Sequence, residues 1–223
     1  MTPRELVGTA EVPGGPPLRL FRRGADFMIV LERNELMSTR MSGSEVALGT
    51  MTCQRLAGRP APRLLIGGYG MGFTLRAVLD LLGPEASVVV AELVPGIIGW
   101  ARGPMASLTA GCLDDPRVTL ETGDVADIIR RDRGCYDAIL LDVDNGPDGL
   151  TRPANDGIYS TRGIEAAWRA LRPGGILAVW SAAPDAPFAR RLASAGFSVD
   201  EVRVKARDNG KGATHVIWFA RRD

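Results

Sequence analysis

The chain has 223 residues, 45% hydrophobic and 24% charged, with a formal net charge of +1. That length suits one large domain with a substantial core, and the near-neutral balance argues against bulk electrostatic capture of nucleic acid or an anionic membrane. Three cysteines without a CxxC spacing and a single histidine, His215, argue against a Cys/His zinc site. No run approaches the roughly 20 apolar residues that cross a bilayer, and the opening Met-Thr-Pro-Arg-Glu has no signal-peptide core. The expected setting is cytoplasmic, with reduced thiols and no metal.

The first sixty residues read differently from the rest. Leu18–Arg22 and Phe27–Glu32 are short β-rich runs around Arg23-Gly24-Ala25-Asp26, a hairpin turn, with a third strand around Glu35–Thr39. Ser44–Leu56 reads as a helix with Ser44 as its cap, and Gly58-Arg59-Pro60-Ala61-Pro62 stops it. The expected division is therefore a small β-rich extension plus helix over 1–58 and a nucleoside-binding domain over 59–223.

From Arg63 the pattern alternates. Strands are expected at Arg63–Gly67, Ser87–Glu92, Arg117–Thr122, Tyr136–Asp142 and Gly175–Trp180, and helices at Phe73–Leu82, Pro95–Met105, Val125–Arg131 and Ser160–Leu171. The strands are continuous apolar runs such as Val88-Val89-Val90, as in sheets covered on both faces. Alternation of this kind predicts a parallel, doubly wound sheet. After a helix near Pro187–Ala195, Phe197–Ala206 and Thr214–Ala220 flank Asn209-Gly210 and predict a terminal antiparallel hairpin. An α/β sheet of seven strands, mostly parallel and ending in that hairpin, resembles the Rossmann-like class I methyltransferase fold.

Leu64-Leu65-Ile66 runs into Gly67-Gly68-Tyr69-Gly70-Met71-Gly72, and a helix opens behind it. Gly68, Gly70 and Gly72 let the main chain approach a ligand closely. The spacing is not the G-x-G-x-x-G of pyrophosphate binders, because the third glycine would fall on Phe73. Glu92 ends the next strand, where an acidic residue can bind both ribose hydroxyls, with Leu93 beside it. Asp124, followed by Val125, is placed either to hold an adenine amino group or to cap a helix.

Asp142-Val143-Asp144 ends the fourth strand of the alternating region, beside the switch point where α/β sheets bind ligands. In extended chain Asp142 and Asp144 point the same way. Transfer from a sulfonium to an amine needs a neutral amine, and a carboxylate can orient the ammonium and take its proton. The alternative is a turn in which these residues cap local backbone. Tyr159 is a candidate for the acceptor pocket or for packing, and His215 reads as structural.

With these residues in place, the chain resembles the spermidine synthase (polyamine aminopropyltransferase) family within the class I SAM-dependent methyltransferase superfamily. The resemblance is carried by Arg63–Gly72, Glu92, Asp115-Pro116-Arg117-Val118 leading to Gly123-Asp124, and Tyr136-Asp137-Ala138-Ile139-Leu140-Leu141-Asp142. It implies a cofactor held by the glycine loop, Glu92 and Asp124, with Asp142 at the catalytic position, and a homodimer. The chain departs from the family at Gly70, where synthases carry an Asp suited to the donor's lone ammonium. It departs again at Ser44–Thr50, which keeps one acidic residue, Glu45, of the acceptor helix, and at Asp142–Pro147, which is shortened.

These departures favour S-adenosylmethionine over its decarboxylated form, and methyl transfer to a small amine acceptor. Aminopropyl transfer from decarboxylated S-adenosylmethionine is the alternative. A noncatalytic protein that senses the cofactor or methylthioadenosine is a third reading.

Overall fold

A computed structural model describes residues 3–143, 146–147, 156–207 and 209–223. Its N-terminal part is an antiparallel meander of four strands, β1 (Glu5–Ala10), β2 (Leu18–Arg23), β3 (Asp26–Leu31) and β4 (Asn34–Ser38). The sequence reading expected three of these. It missed β1, whose Glu-Leu-Val-Gly-Thr-Ala shows no alternation and leaves Leu6 exposed.

Helix α1 (Gly43–Arg55) follows and packs along α2 (Phe73–Leu79) and against the sheet. Its cap position is Ser42, two residues before the serine expected there. The hydroxyl of Ser44 is engaged elsewhere, as described below. A short turn links α1 to the next strand.

The main sheet comprises β5 (Arg63–Gly67), β6 (Ser87–Glu92), β7 (Val118–Thr122), β8 (Tyr136–Leu141), β9 (Leu171–Ser181), β10 (Phe197–Lys205) and β11 (Thr214–Arg222). Their spatial order is β10-β11-β9-β8-β5-β6-β7. The β5, β6, β7, β8 and β9 pairs are parallel, and β11 joins β9 and β10 antiparallel, as the alternation and the terminal hairpin predicted. The remaining helices are α3 (Pro95–Arg102), α4 (Ala106–Thr109), α5 (Val125–Arg131), α6 (Asp156–Tyr159), α7 (Thr161–Ala170) and α8 (Ala186–Ser194). Helix α3 ends three residues before the expected Met105, because Gly103-Pro104 interrupts it and a proline cannot donate to the helix ladder. Among the described residues no helix is long and apolar enough to cross a membrane.

The strand alternation sorts side chains into two cores, one on each face of the sheet. Leu64, Ile66, Val88, Val90, Ala138 and Leu140 face α1, α2, α3 and the N-terminal meander. Leu65, Val89, Ile139, Leu141, Phe188 and Trp218 face α5, α7 and α8. Beneath the site, buried Asp137 accepts from Arg59 Nη1 (2.6 Å), Arg172 Nη1 (2.7 Å) and the Arg63 backbone N–H (2.8 Å), tying β8 to the start of β5 and to β9.

The Asp115-Pro116-Arg117 segment has a structural task. Arg117 grips Asp115 with two parallel bonds (2.9 and 2.8 Å) and gives its Nη1 to the carbonyls of Leu79 (3.0 Å) and Leu82 (2.6 Å). It thereby satisfies the orphan carbonyls at the end of α2. The guanidinium holds the Asp115 carboxyl down to about 2.

Candidate functional site

The order in which strands are added reverses between the parallel neighbours β5 and β8. The chain runs outward through β6 and β7 and returns to β8, so the crevice beyond the carboxyl ends of β5 and β8 is the topological switch point. A cavity of about 610 Å³ opens there. Its floor is built from strand ends: Gly68 and Gly70 after β5, Ala91, Glu92 and Leu93 at β6, Gly123, Asp124 and Val125 after β7, Asp142 and Val143 after β8, and Trp180 of β9. Its roof is apolar and comes from the N-terminal meander and the Val12–Pro16 turn, with Leu18, Ile29, Leu31, Leu36 and Met37. Helix α1 contributes Glu45.

The glycine loop is shaped by contacts that exclude side chains. Gly68 has φ +87°, and a β-carbon there would meet the Asp142 carbonyl oxygen at 2.5 Å. Gly70 has φ +56°, and its missing side chain faces Met37, whose methyl and sulfur would lie 2.7 and 2.9 Å from a β-carbon. The buried Glu92 carboxylate fastens the loop, accepting from the backbone N–H of Tyr69 (2.9 Å) and of Val94 (2.8 Å). Burial pushes its carboxyl up, and the surrounding backbone N–H groups oppose that shift. The backbone N–H groups of Gly70 and Leu93 also bear on this carboxylate, which lines the cavity as an acceptor. Asp124 caps α5 by accepting from Ala126 N–H (2.8 Å) while its residue lines the cavity, so both roles weighed for it are compatible.

Asp142 stands at the mouth of the crevice, half-buried, with its backbone N–H on the Gly67 carbonyl (3.0 Å). Thr74 Oγ1 donates to its Oδ2 at 2.8 Å, and the same hydroxyl approaches the Glu45 carbonyl oxygen at 3.2 Å. Desolvation outweighs the Thr74 hydrogen bond and raises the Asp142 carboxyl to about 6. A carboxylate poised there is matched to proton exchange near neutral pH.

Gly68, Gly70, Glu92, Leu93, Asp124, Val125 and Asp142 therefore meet on one wall. Gly72 and Tyr159 do not. Gly72 is the left-handed cap of α2 at φ +77° and packs on the Tyr69 hydroxyl, a local turn role. Tyr159 is buried on the opposite side of the sheet, edge-to-face with Phe188 (5.7 Å), and its hydroxyl donates to the Val143 carbonyl (3.1 Å). Asp144 lies outside the described residues. The residues that sequence reasoning did not place on the site are Glu45, Thr74, Met37 and Trp180. Only Glu45 carried a signal, as the surviving acidic residue of the helix before the glycine loop. Met37 and Trp180 reach the cavity through packing between distant segments, and Thr74 bears on it through its bond to Asp142.

Comparison with known proteins agrees with this geometry. The profile of the spermine/spermidine synthase domain matches residues 50–187. A polyamine aminopropyltransferase from Mycobacterium tuberculosis is 31% identical over 166 residues, which is 73% of this chain and 30% of the relative. Putrescine N-methyltransferase 4 from Nicotiana tabacum is 37% identical over 119 residues, 53% of this chain and 29% of the relative. The chain thus matches about a third of the length of these curated relatives. The crystal structure of spermidine synthase from Thermotoga maritima superposes with a TM-score of 0.77 at 18% identity, covering 98% of this chain and 73% of that one. That last likeness speaks for the fold. With the profile spanning residues 50–187, more than half of the sequence, the chain belongs to the spermine/spermidine synthase family.

Proposed function

We propose that this chain is a transferase that moves an alkyl group from an adenosyl sulfonium to a small amine. The observation that carries the reading is the charge of the cavity. Four acidic residues, Glu45, Glu92, Asp124 and Asp142, line it, and among the described lining residues none is Lys, Arg or His. Such a wall selects cationic ligands, and a sulfonium donor and an amine acceptor both meet that requirement.

Glu92 and Asp124 would hold the nucleoside, with the Gly68 and Gly70 main chain beneath it. When bound, the sulfonium supplies an electrophilic carbon whose bond to sulfur breaks toward a neutral thioether. The acceptor amine arrives as an ammonium, near the lysine value of about 10.4. Complete proton transfer to a carboxyl at about 6 is uphill. Asp142 therefore hydrogen-bonds the ammonium and takes one proton from it in an uphill step that precedes attack, because only the neutral amine has the lone pair that forms the carbon–nitrogen bond. Thr74 keeps Asp142 oriented, Glu45 attracts the amine, and the apolar roof excludes water. Most of the rate would come from that positioning.

The comparisons support aminopropyl transfer, the alternative in the sequence reading, better than methyl transfer. The all-acidic wall agrees, since a decarboxylated donor presents no carboxylate for it to repel. Two observations favour methyl transfer. Gly70 and Met37 leave no side-chain anion for a donor ammonium at the loop, and the Nicotiana relative is named a methyltransferase. Titrating purified protein with S-adenosylmethionine, its decarboxylated form and methylthioadenosine separates these readings. Binding of only the decarboxylated donor establishes the first, preference for the intact donor the second, and binding of none removes the transferase reading. The homodimer implied by the resemblance is tested by sedimentation at micromolar concentration.

A further inference from the structure

Three residues form a hydrogen-bonded chain that runs from the last strand to the cavity wall. Ser44, wholly buried at the start of α1, donates its hydroxyl to Glu45 Oε2 at 2.8 Å. The same Ser44 oxygen lies 2.9 Å from Nδ1 of His215 in β11. A serine hydroxyl has one proton, and an ionised carboxylate only accepts. With that proton on Glu45, His215 must carry its hydrogen on Nδ1 and donate it to Ser44.

The same imidazole packs edge-to-face on Trp180, with ring centroids 4.8 Å apart, and Trp180 is itself on the cavity wall. Burial lowers the affinity of His215 for a second proton and so favours the neutral ring. Glu45 faces it from α1 and the uncharged Trp180 from β9, while its β10 partner is Val204. The adjacent Lys205 directs its ammonium to Thr214 Oγ1 (2.7 Å). A packing histidine needs no such directional chain.

We infer that His215, through Ser44, is a positioning residue that fixes the Glu45 carboxylate for the acceptor amine. The inference rests on the reading of Glu45 as an acceptor-side group, and its test separates the two. His215 is the single histidine of the chain, so the imidazole nitrogen NMR spectrum of the 223-residue chain reports this residue alone. The expected spectrum shows protonated Nδ1 and bare Nε2, and Ser44→Ala converts it to a mixture of tautomers. The opposite tautomer, or a spectrum that Ser44→Ala leaves unchanged, overturns the inference.

The functional arm uses putrescine as probe, titrated into protein saturated with methylthioadenosine. His215→Phe keeps a ring on Trp180 but has no N–H, while His215→Asn keeps an N–H within reach of Ser44 but has no ring. Positioning predicts putrescine binding weakened roughly tenfold in His215→Phe and near wild type in His215→Asn. A packing role gives the reverse order and overturns the inference. Unchanged methylthioadenosine affinity confirms that both variants are folded. If the wild-type protein binds methylthioadenosine but not putrescine, the acceptor role of Glu45 falls. The tautomer spectrum then decides alone whether His215 orients that carboxylate.

Discussion

Gly68 and Asp142 touch through their backbones: a β-carbon on Gly68 would sit 2.5 Å from the Asp142 carbonyl oxygen. The loop proposed to approach the donor and the strand end proposed to bear the proton acceptor are thus in van der Waals contact across the switch point. No flexible side chain can relieve an intrusion there. Gly68→Ala combines that clash with a left-handed backbone and should cost about 2–4 kcal/mol of stability. Urea unfolding measures the cost, and calorimetry should show donor binding lost as well. A Gly68→Ala protein with wild-type stability would mean that the loop and β8 are not held together as described.

Asp142→Asn should retain donor binding and lose turnover by about 10²–10⁴-fold, the usual contribution of a positioned general base. Its stability should carry a second signature. The folded carboxyl is raised from 3.8 to about 6. It therefore favours folding below its ordinary range and loses that contribution as pH rises through about 6. Relative to Asp142→Asn, the wild-type protein should become less stable between pH 4 and pH 7, by at most about 3 kcal/mol. Parallel stability curves for the two proteins would contradict the assigned burial.

The contact between Gly70 and Met37 predicts a coupled pair of substitutions. Gly70→Asp places a carboxylate where the resemblance expects one, but its β-carbon meets the Met37 side-chain tip at 2.7 Å. Met37→Ala clears that space. The double variant should shift donor preference toward the decarboxylated form by about tenfold, and each single change should shift it less than their product requires. Calorimetric titration of all four proteins with both donors measures the cycle.

Arg117→Ala should leave the site alone. It removes the clamp on Asp115 and strands the carbonyls of Leu79 and Leu82, at a cost of about 1–3 kcal/mol. Donor affinity should stay within about twofold, since no residue of this clamp lines the cavity. A loss of binding without a loss of stability would give the Asp-Pro-Arg segment a functional role instead.

The parts of the fold that were legible are those written locally. Val88-Val89-Val90 and Ile139-Leu140-Leu141 are buried on both faces, so their apolar runs announce strands without knowledge of neighbours. Strand β1 was not legible, because it is an edge strand whose Gly and exposed Leu6 obscure any alternation. In the site, Gly68, Glu92, Asp124 and Asp142 were readable because each sits at a strand end, at a fixed offset from a pattern. Met37 and Trp180 were not, since only tertiary packing brings β4 and β9 to the same cavity. Tyr159, weighed for the acceptor pocket or for packing, takes the packing place, with its ring edge-to-face on Phe188.

The sorting of side chains into two cores makes the main sheet an insulating partition. On one side lie the cavity roof, α1 and the glycine loop; on the other, Phe188 and Trp218 pack edge-to-face at 5.0 Å, and neither lines the cavity. Volume added or removed around those two rings meets the strand ladder before the ligand chamber, except through Val125 and Val143, which pack on this second core and also line the cavity. The protein can thus be hardened against heat from behind while its selectivity is rebuilt from the front, the two programmes of change proceeding almost independently.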